Sequence, residues 1–316
     1  MENRKKDMNK LNTKVSELFN EQVSGWKLAR TNYKGLENVK TKSFSFGDFE
    51  VLVQFNPARI ISSGAGVDAK TIAARECFLC AGNRPAGQKE VYAGDYTVLV
   101  NPFPIFPEHF TIPRKEHTIQ QILPYFGDML ELAEALDDYL VFYNGPECGA
   151  SAPDHMHFQA GTKDFLPLLN DYKRLKDTHA ELLVSTDRME LFNFKNYLRT
   201  VYCIESDDVE RIKDAFGKLY SHFKTLTTSP ALSKEEGMKE PGMNIVCSYE
   251  NGKWYTFILP RASFRPWQYT ALGDKQLMVS PATVEMCGLF ITPVESHFNR
   301  ITKEDIQSIL EQTSLC

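Results

Sequence analysis

Polar and apolar side chains alternate over His155-Met156-His157-Phe158-Gln159, and that alternation commits the segment to an extended strand. On a strand, residues two apart share a face, so His155, His157 and Gln159 line one surface. Two imidazoles and an amide on one face suit metal binding or attack on a phosphate; a plain surface histidine pair is the simpler alternative. Gly149-Ala150-Ser151 just upstream favours the functional reading, because small residues let backbone N–H groups approach an anion closely.

The elements around this strand define the fold class. Leu11, Val15, Leu18 and Phe19 recur at helical spacing, followed by Trp26 and Leu28, with Gly35 as a stop. Phe44 to Phe55 reads as two strands around a turn at Gly47-Asp48, and a Gly/Ser/Ala-rich loop follows from Ser62 to Gly66. Tyr96–Val100 and Phe110–Ile112 are short strands halted by Asn101-Pro102 and Pro113. From Tyr125 to about Tyr143 the spacing predicts an amphipathic helix closed by Asn144-Gly145-Pro146. Strand, strand, helix and histidine segment make an α+β order rather than a repeating βα one.

The second half repeats that order. Asn196–Ile204 is a β-rich run, and Ser206-Asp207-Asp208 caps a helix from Val209 to Phe223. Thr225 to Gly242 reads as a loop, and Met243–Ser248 and Trp254–Leu259 form a hairpin around Glu250-Asn251-Gly252. Phe110-Thr-Ile-Pro-Arg114 echoes Phe257-Ile-Leu-Pro-Arg261, which together with the element order points to a duplicated fold. The chain then divides into an N-terminal helical extension (1–43), a half carrying the histidine motif (44–180) and a half without it (181–316).

Charge and composition exclude several function classes. With 36 Lys and Arg against 41 Asp and Glu, the net charge of -5 gives no footprint for nucleic acid. The 42% hydrophobic and 12% aromatic content rules out a disordered chain. No apolar run approaches the roughly 20 residues of a membrane helix, and the basic start MENRKKDMNKLNTK lacks the apolar core of a signal peptide. Seven scattered cysteines do not form a secreted disulfide framework, so a soluble cytoplasmic protein is expected.

Cys77-Phe78-Leu79-Cys80 is a CxxC. Two thiols at this spacing are half a zinc site, a redox pair, or simply buried thiols; the loop after Cys80 is unlike the helix that follows a thioredoxin-type motif. His117 is the better histidine to complete a metal set, because Lys115-Glu116-His117 opens a new element, whereas His109 reads as an ordinary strand-end residue. Asn101-Pro102-Phe103-Pro104 alone is a rigid turn after a strand.

Together these residues resemble the galactose-1-phosphate uridylyltransferase branch of the histidine-triad superfamily. Cys77-Phe-Leu-Cys-Ala-Gly-Asn83 looks like the cysteine segment of the bacterial uridylyltransferases, Asn101-Pro-Phe103 is similar to their nucleoside-holding Asn-x-Phe, and Gly149-Ala-Ser151 through His155-x-His157-x-Gln159 is similar to their catalytic motif. Gly149-Ala-Ser151 also resembles diadenosine tetraphosphate phosphorylases. His155–Ala160 and the tail Val279–Phe290 resemble GDP-hexose (GDP-L-galactose) phosphorylases. Asp154 is one residue more than the uridylyltransferases have between Pro153 and His155, and Met286-Cys-Gly-Leu-Phe290 stands where a second His-x-His would lie.

The resemblance implies a duplicated histidine-triad-like (HIT-like) α+β fold with antiparallel sheets, and a ping-pong nucleotidyl transfer. His157 would be the nucleophile, with Ser151 and Gln159 on the phosphate and Asn101, Phe103, Asn144 and Gly149 around the nucleotide. Arg114, Lys163 and Arg261, beside these segments in the predicted arrangement, are candidates for the second phosphate. Cys77, Cys80, His117 and His155 would hold a structural Zn2+, four protein ligands leaving no open position. Gln159, where smaller hydrolytic members carry a third histidine, favours transfer over hydrolysis. The implied substrate is a nucleoside diphosphate sugar or dinucleoside polyphosphate, the acceptor phosphate or a sugar 1-phosphate, the assembly a homodimer, with no nucleic-acid or membrane partner. The competing reading is a catalytically silent nucleotide-binding protein with a structural zinc.

Overall fold

The computed structural model describes residues 2–60, 64, 66, 69–227 and 240–315. Most of the Ser62–Gly66 stretch, and positions 228–239 of the loop expected from Thr225 to Gly242, lie outside them. Thirteen strands are seen among the described residues: β1 (Lys40–Ser45), β2 (Glu50–Phe55), β3 (Glu90–Ala93), β4 (Tyr96–Val100), β5 (His109–Pro113), β6 (Tyr139–Asn144), β7 (His157–Thr162), β8 (Ala180–Ser185), β9 (Met189–Phe194), β10 (Val201–Ser206), β11 (Met243–Glu250), β12 (Lys253–Pro260) and β13 (Leu289–Thr292). Ten of them form one sheet in the order β3-β4-β5-β7-β6-β11-β12-β10-β9-β8, with every neighbouring pair antiparallel.

That order is a duplication. Counted inward from either edge, the strands follow the chain as first, second, third, fifth and fourth. Each half inserts a helix between its third and fourth strands, Phe126–Ala135 in one and Val209–Thr227 in the other. The two fourth strands, β6 and β11, pair at the centre through Asn144↔Asn244 to Val141↔Cys247. The fold is therefore α+β and duplicated, with antiparallel strands and packed helices. The echo between Phe110–Arg114 and Phe257–Arg261, however, falls on β5 and β12, a third and a fifth strand. Its likeness is that of two buried strands that both end at a proline. The counterpart of the histidine strand β7 is β12, not Met286–Phe290, which passes from the short helix Thr283–Met286 into β13.

Alternation assigns the two faces of the sheet. Val98, Val100, Phe110, Ile112, Val141, Phe158 and Ala160 point to the face covered by the 126–135 and 209–227 helices. There Phe126 and Phe216 stack with centroids 3.8 Å apart, worth about 1 kcal/mol beyond the area each buries. The intervening residues Leu140 and Phe142 point the other way, into a second core with the Pro167–His179 and Lys303–Thr313 helices and the sheet β1-β2-β13. In that smaller sheet β13 lies parallel to β2, which ties residues 52–55 to 289–292.

Other expectations meet the structure as follows. The Asn251-Gly252 turn has φ of 52° and 82°, the double positive φ of a tight hairpin. Asp208 Oδ1 accepts from the N–H groups of Glu210 (3.0 Å) and Arg211 (3.3 Å) and so caps its helix. The helix expected from Tyr125 to Tyr143 instead ends at Ala135, and Tyr139–Asn144 is the central strand β6. All six residues of β6 are buried, and such a two-sided apolar run satisfies helical spacing as readily as extended spacing. The β-rich run at 196–204 begins as a loop with Asn196 and Leu198 at positive φ, and the strand occupies 201–206. The N-terminal helices Glu2–Gly25 and Lys27–Gly35 pack onto the histidine-bearing half, where Val15, Leu18, Ala29 and Tyr33 join its core.

Candidate active site

On the face opposite the 126–135 helix, the first half opens a cavity of about 540 Å3. The alternation of its strands places Leu99 of β4, His109 and Thr111 of β5, Phe142 and Asn144 of β6, and His157 and Gln159 of β7 in the lining. Loops from both ends of the chain close it, with Arg59, Arg75 and Phe78 on one side and Phe264, Arg265, Ala282 and Glu285 on another.

His157 is held from three directions. Its Nδ1 lies 2.7 Å from the His155 carbonyl, so Nδ1 carries the proton and Nε2 keeps its lone pair. Its backbone N–H donates to Gln120 Oε1 at 2.8 Å, while Gln120 Nε2 donates to the carbonyls of His157 and Asn144 at 3.0 and 2.9 Å. Burial pushes the imidazole pKa down to about 4, which keeps the ring neutral. The site thus presents an uncharged, oriented imidazole nitrogen in a largely apolar cavity.

Gln159 is oriented by a residue that the sequence reading set aside. His109 is 1% exposed, and its Nδ1 accepts from the Ile105 N–H at 3.2 Å. The proton of the neutral ring is therefore on Nε2, which donates to Gln159 Oε1 at 2.9 Å. With its oxygen taken, Gln159 has its two N–H bonds to offer a ligand. Burial first, and the Arg59 charge second, push His109 down to about 3, so it stays neutral. From the other side, Tyr33 of the N-terminal helical pair donates to the His109 carbonyl at 2.9 Å, and Asn32 donates to the Pro102 carbonyl at 2.6 Å.

The Gly149-Ala150-Ser151 turn lies beside His157 in the lining. Gly149 has φ of +104°, and a Cβ there would sit 2.3 Å from the Ala282 Cβ, so only glycine lets the turn meet the 282 segment. Asn101 folds its own loop: Oδ1 accepts from the Phe103 N–H at 2.9 Å and Nδ2 donates to Thr111 at 3.2 Å. Asn144 Oδ1 accepts from the Thr283 N–H and hydroxyl (2.9 and 2.7 Å) and from Asn244, which docks the C-terminal segment onto β6.

The structure brings His157, Gln159, Ser151, Asn101, Phe103, Asn144 and Gly149 together in this lining, and leaves Arg114, Lys163 and Arg261 out of it. Arg114 turns to Tyr125, donating to its hydroxyl at 2.7 Å, and Lys163 donates to the Tyr249 carbonyl at 2.7 Å. Arg261 is 2% exposed and is a structural hub: it donates to Asn244 Oδ1 at 2.6 Å and to the carbonyls of Thr313, Pro281, Ser263 and Phe264. The cations of the lining are Arg59, Arg75 and Arg265, against the single carboxylate of Glu285 among the described residues. No local motif announces these three, since each arrives from a separate loop.

Beside the cavity, Cys77, Cys80, His117 and His155 place their ligand atoms within 4.8 Å of one another. Cys77 Sγ and Cys80 Sγ lie 3.2 and 3.6 Å from His155 Nδ1, and Cys80 Sγ lies 3.2 Å from His117 Nδ1. His155 Nε2 points at the Arg114 carbonyl at 2.7 Å, the outer hydrogen bond that fixes Nδ1 as a ligand atom. Two thiols and two imidazoles at this spacing fit a tetrahedral zinc ion. His155 therefore turns away from the cavity. It precedes β7 rather than sharing its face, and only His157 and Gln159 follow the expected alternation into the lining.

Residues 18–162 match a family described as a domain of unknown function, DUF4922. No curated protein matches the sequence. Among solved structures the chain is similar to yeast Ap4A phosphorylase Apa2, with TM-score 0.61 and 16% identity over 96% of this chain and 94% of that one. The same yeast enzyme in complex with Ap4A gives TM-score 0.62 at 16% identity, covering 96% and 97% of the two chains. Its complex with AMP gives 0.57 at 17%, covering 96% and 95%. The chain has the fold of that phosphorylase over nearly its whole length.

Proposed function

We propose that this chain is a nucleotidyltransferase of the phosphorylase type that works through a covalent nucleotidyl-histidine at His157. The observation that carries the reading is the His157 ring itself, neutral, buried and tautomerically fixed by the His155 carbonyl. A residue that served binding alone would need no such nucleophile. The surrounding chemistry supports a polyanionic substrate, since three arginines and one carboxylate line the cavity of a chain whose net charge is -5. The fold shared with a phosphorylase solved with Ap4A and AMP supports the same substrate class.

In the proposed cycle, His157 Nε2 attacks the α-phosphorus of a nucleoside diphosphate sugar or dinucleoside polyphosphate. The phosphorus–oxygen bond to the remaining half breaks, and that half leaves with the bonding electrons. The ring becomes cationic, and its Nδ1–H strengthens its bond to the His155 carbonyl. Gln159 N–H groups, held by His109, and the Gly149–Ser151 turn stabilise charge on the phosphoryl oxygens. Phosphate or a sugar 1-phosphate then attacks the same phosphorus, takes the nucleotidyl group and returns His157 to its neutral form. The similarity of His155–Ala160 and Val279–Phe290 to GDP-hexose phosphorylases favours phosphorolysis of a nucleoside diphosphate hexose over uridylyl exchange within this scheme. A zinc ion held by Cys77, Cys80, His117 and His155 would serve as a structural tie, fixing the backbone whose carbonyl sets the His157 tautomer.

The test is intact-mass spectrometry after incubation with UDP-, GDP- and ADP-sugars and diadenosine polyphosphates in the absence of phosphate. The expected result is a mass gain of one nucleoside monophosphate from one donor, absent in His157→Ala and discharged by the acceptor. Turnover of a donor with no adduct, undiminished in His157→Ala, refutes the mechanism.

A further inference from the structure

We infer that Arg75, aimed by Asp154, binds the part of a phosphate chain that lies beyond the phosphate facing His157. The inference rests on the nucleotide reading of the cavity given above. Arg75 lines that cavity, and its Nη2 donates to Asp154 Oδ1 at 2.7 Å and lies 3.4 Å from the Ser151 carbonyl. The guanidinium is thereby pinned against the turn that carries Ser151, and its Cζ lies 5.1 Å from the ring centroid of Phe78, another lining residue. A guanidinium has five N–H bonds, and these two contacts use only Nη2. Nη1 is shielded from solvent and has no hydrogen-bond partner among the described residues. A shielded donor without a partner carries a desolvation cost, which a small turn of the guanidinium toward a phosphate in the cavity would recover. Phosphate oxygens match the planar fork of arginine in charge and geometry.

Asp154 immediately precedes His155, so the carboxylate that holds Arg75 sits on the same short segment that leads into the His157 strand. Both partners of the pair are about one-fifth exposed, with side-chain accessibilities of 22% and 20%, so it is neither a loose surface bridge nor a sealed one. A carboxylate that serves only to pin a loop would leave the affinity for different phosphate-chain lengths unchanged. A carboxylate that aims a phosphate-binding arginine makes affinity grow with chain length.

Binding of AMP, ADP, ATP and inorganic triphosphate to the full chain, measured by calorimetry, tests this. Wild-type affinity should rise with chain length. Arg75→Gln should lose about tenfold or more for ATP and inorganic triphosphate while AMP changes by less than about threefold, the difference expected for lost charge-assisted contacts to the outer phosphates. Arg75→Lys should restore part of the gradient through charge alone, and Asp154→Asn should flatten it in the same direction with the arginine intact. If the Gln variant is poorly folded by circular dichroism, the Lys and Asn variants carry the comparison. Equal losses for all ligands, or none, overturn the role of Arg75 and leave the nucleotide reading standing. A wild type that binds inorganic triphosphate through Arg75 but no nucleotide sustains Arg75 as an anion site and refutes the nucleotide reading; binding of neither refutes both.

Discussion

His109 offers a thermodynamic test of the site's wiring. Its imidazole is pushed from an ordinary value of 6.5 down to about 3 by burial and by Arg59. A group whose folded pKa lies below its unfolded value binds fewer protons when folded, so it is neutral in effect above the unfolded pKa and destabilises as pH falls. The window runs from 6.5 down to about 3. At about pH 5 the unfolded ring is protonated and the folded ring is not, and the cost is about 2 kcal/mol, from about 1.5 pH units at about 1.4 kcal/mol each. His109→Asn removes the titration while keeping an acceptor within reach of the Ile105 N–H. Urea unfolding of both proteins at about pH 8 and about pH 5 measures the difference, since every other titrating group contributes to both. The wild type should lose about 2 kcal/mol more than His109→Asn over that interval. Identical pH dependence, within a few tenths of a kcal/mol, would show that His109 titrates alike in the folded and unfolded protein and is therefore protonated in the fold at about pH 5. The Nε2–H donor assigned to Gln159 would then no longer follow from the tautomer of a neutral ring.

Other outcomes follow from the same geometry. Gly149→Ala, forced to φ +104° with its methyl 2.3 Å from Ala282, should cost about 2–4 kcal/mol in thermal unfolding and slow adduct formation; unchanged melting would refute the close approach. Arg261→Met should destabilise by about 3 kcal/mol or more, because Asn244 and four carbonyls lose their donor, whereas a stable variant with only a raised KM would return Arg261 to phosphate binding. Untreated protein should carry about one equivalent of zinc, and Cys77→Ser with Cys80→Ser should abolish it and lower Tm; a folded wild type with less than about half an equivalent refutes the metal.

How much could be read from the sequence follows the range over which each signal acts. Strand β4, the hairpin at Asn251-Gly252 and the cap at Asp208 are set by neighbours, and they appear where the residues put them. The histidine segment is also local: one β-strand alternation delivers His157 and Gln159 to the same cavity. β6 defeated the reading because burial on both faces erases the period that distinguishes strand from helix. Arg114 and Arg261 adjoin the right segments, but each follows a strand-ending proline and turns its side chain to other partners. The arginines that do line the cavity lie far from the histidine motif in sequence, and only the folded chain brings them to it. His109 looked like a strand end; the missing signal was the Ile105 N–H four residues earlier, which fixes its tautomer.

The parallel pairing of β2 with β13 bears on how the protein is made. A ribosome delivers Arg59 and His157 long before Arg265, Ala282 and Glu285, yet all five border one cavity. While synthesis continues, the emerging chain holds the imidazole, but Asn144 has no Thr283 to dock and β2 has no second neighbour. The cavity closes only when the C-terminal segment returns to the front of the molecule. Nascent chains stalled before Leu289 are therefore expected to leave one edge of β2 unpaired and the cavity unfinished, so residues 264–292 make the last contribution to its lining.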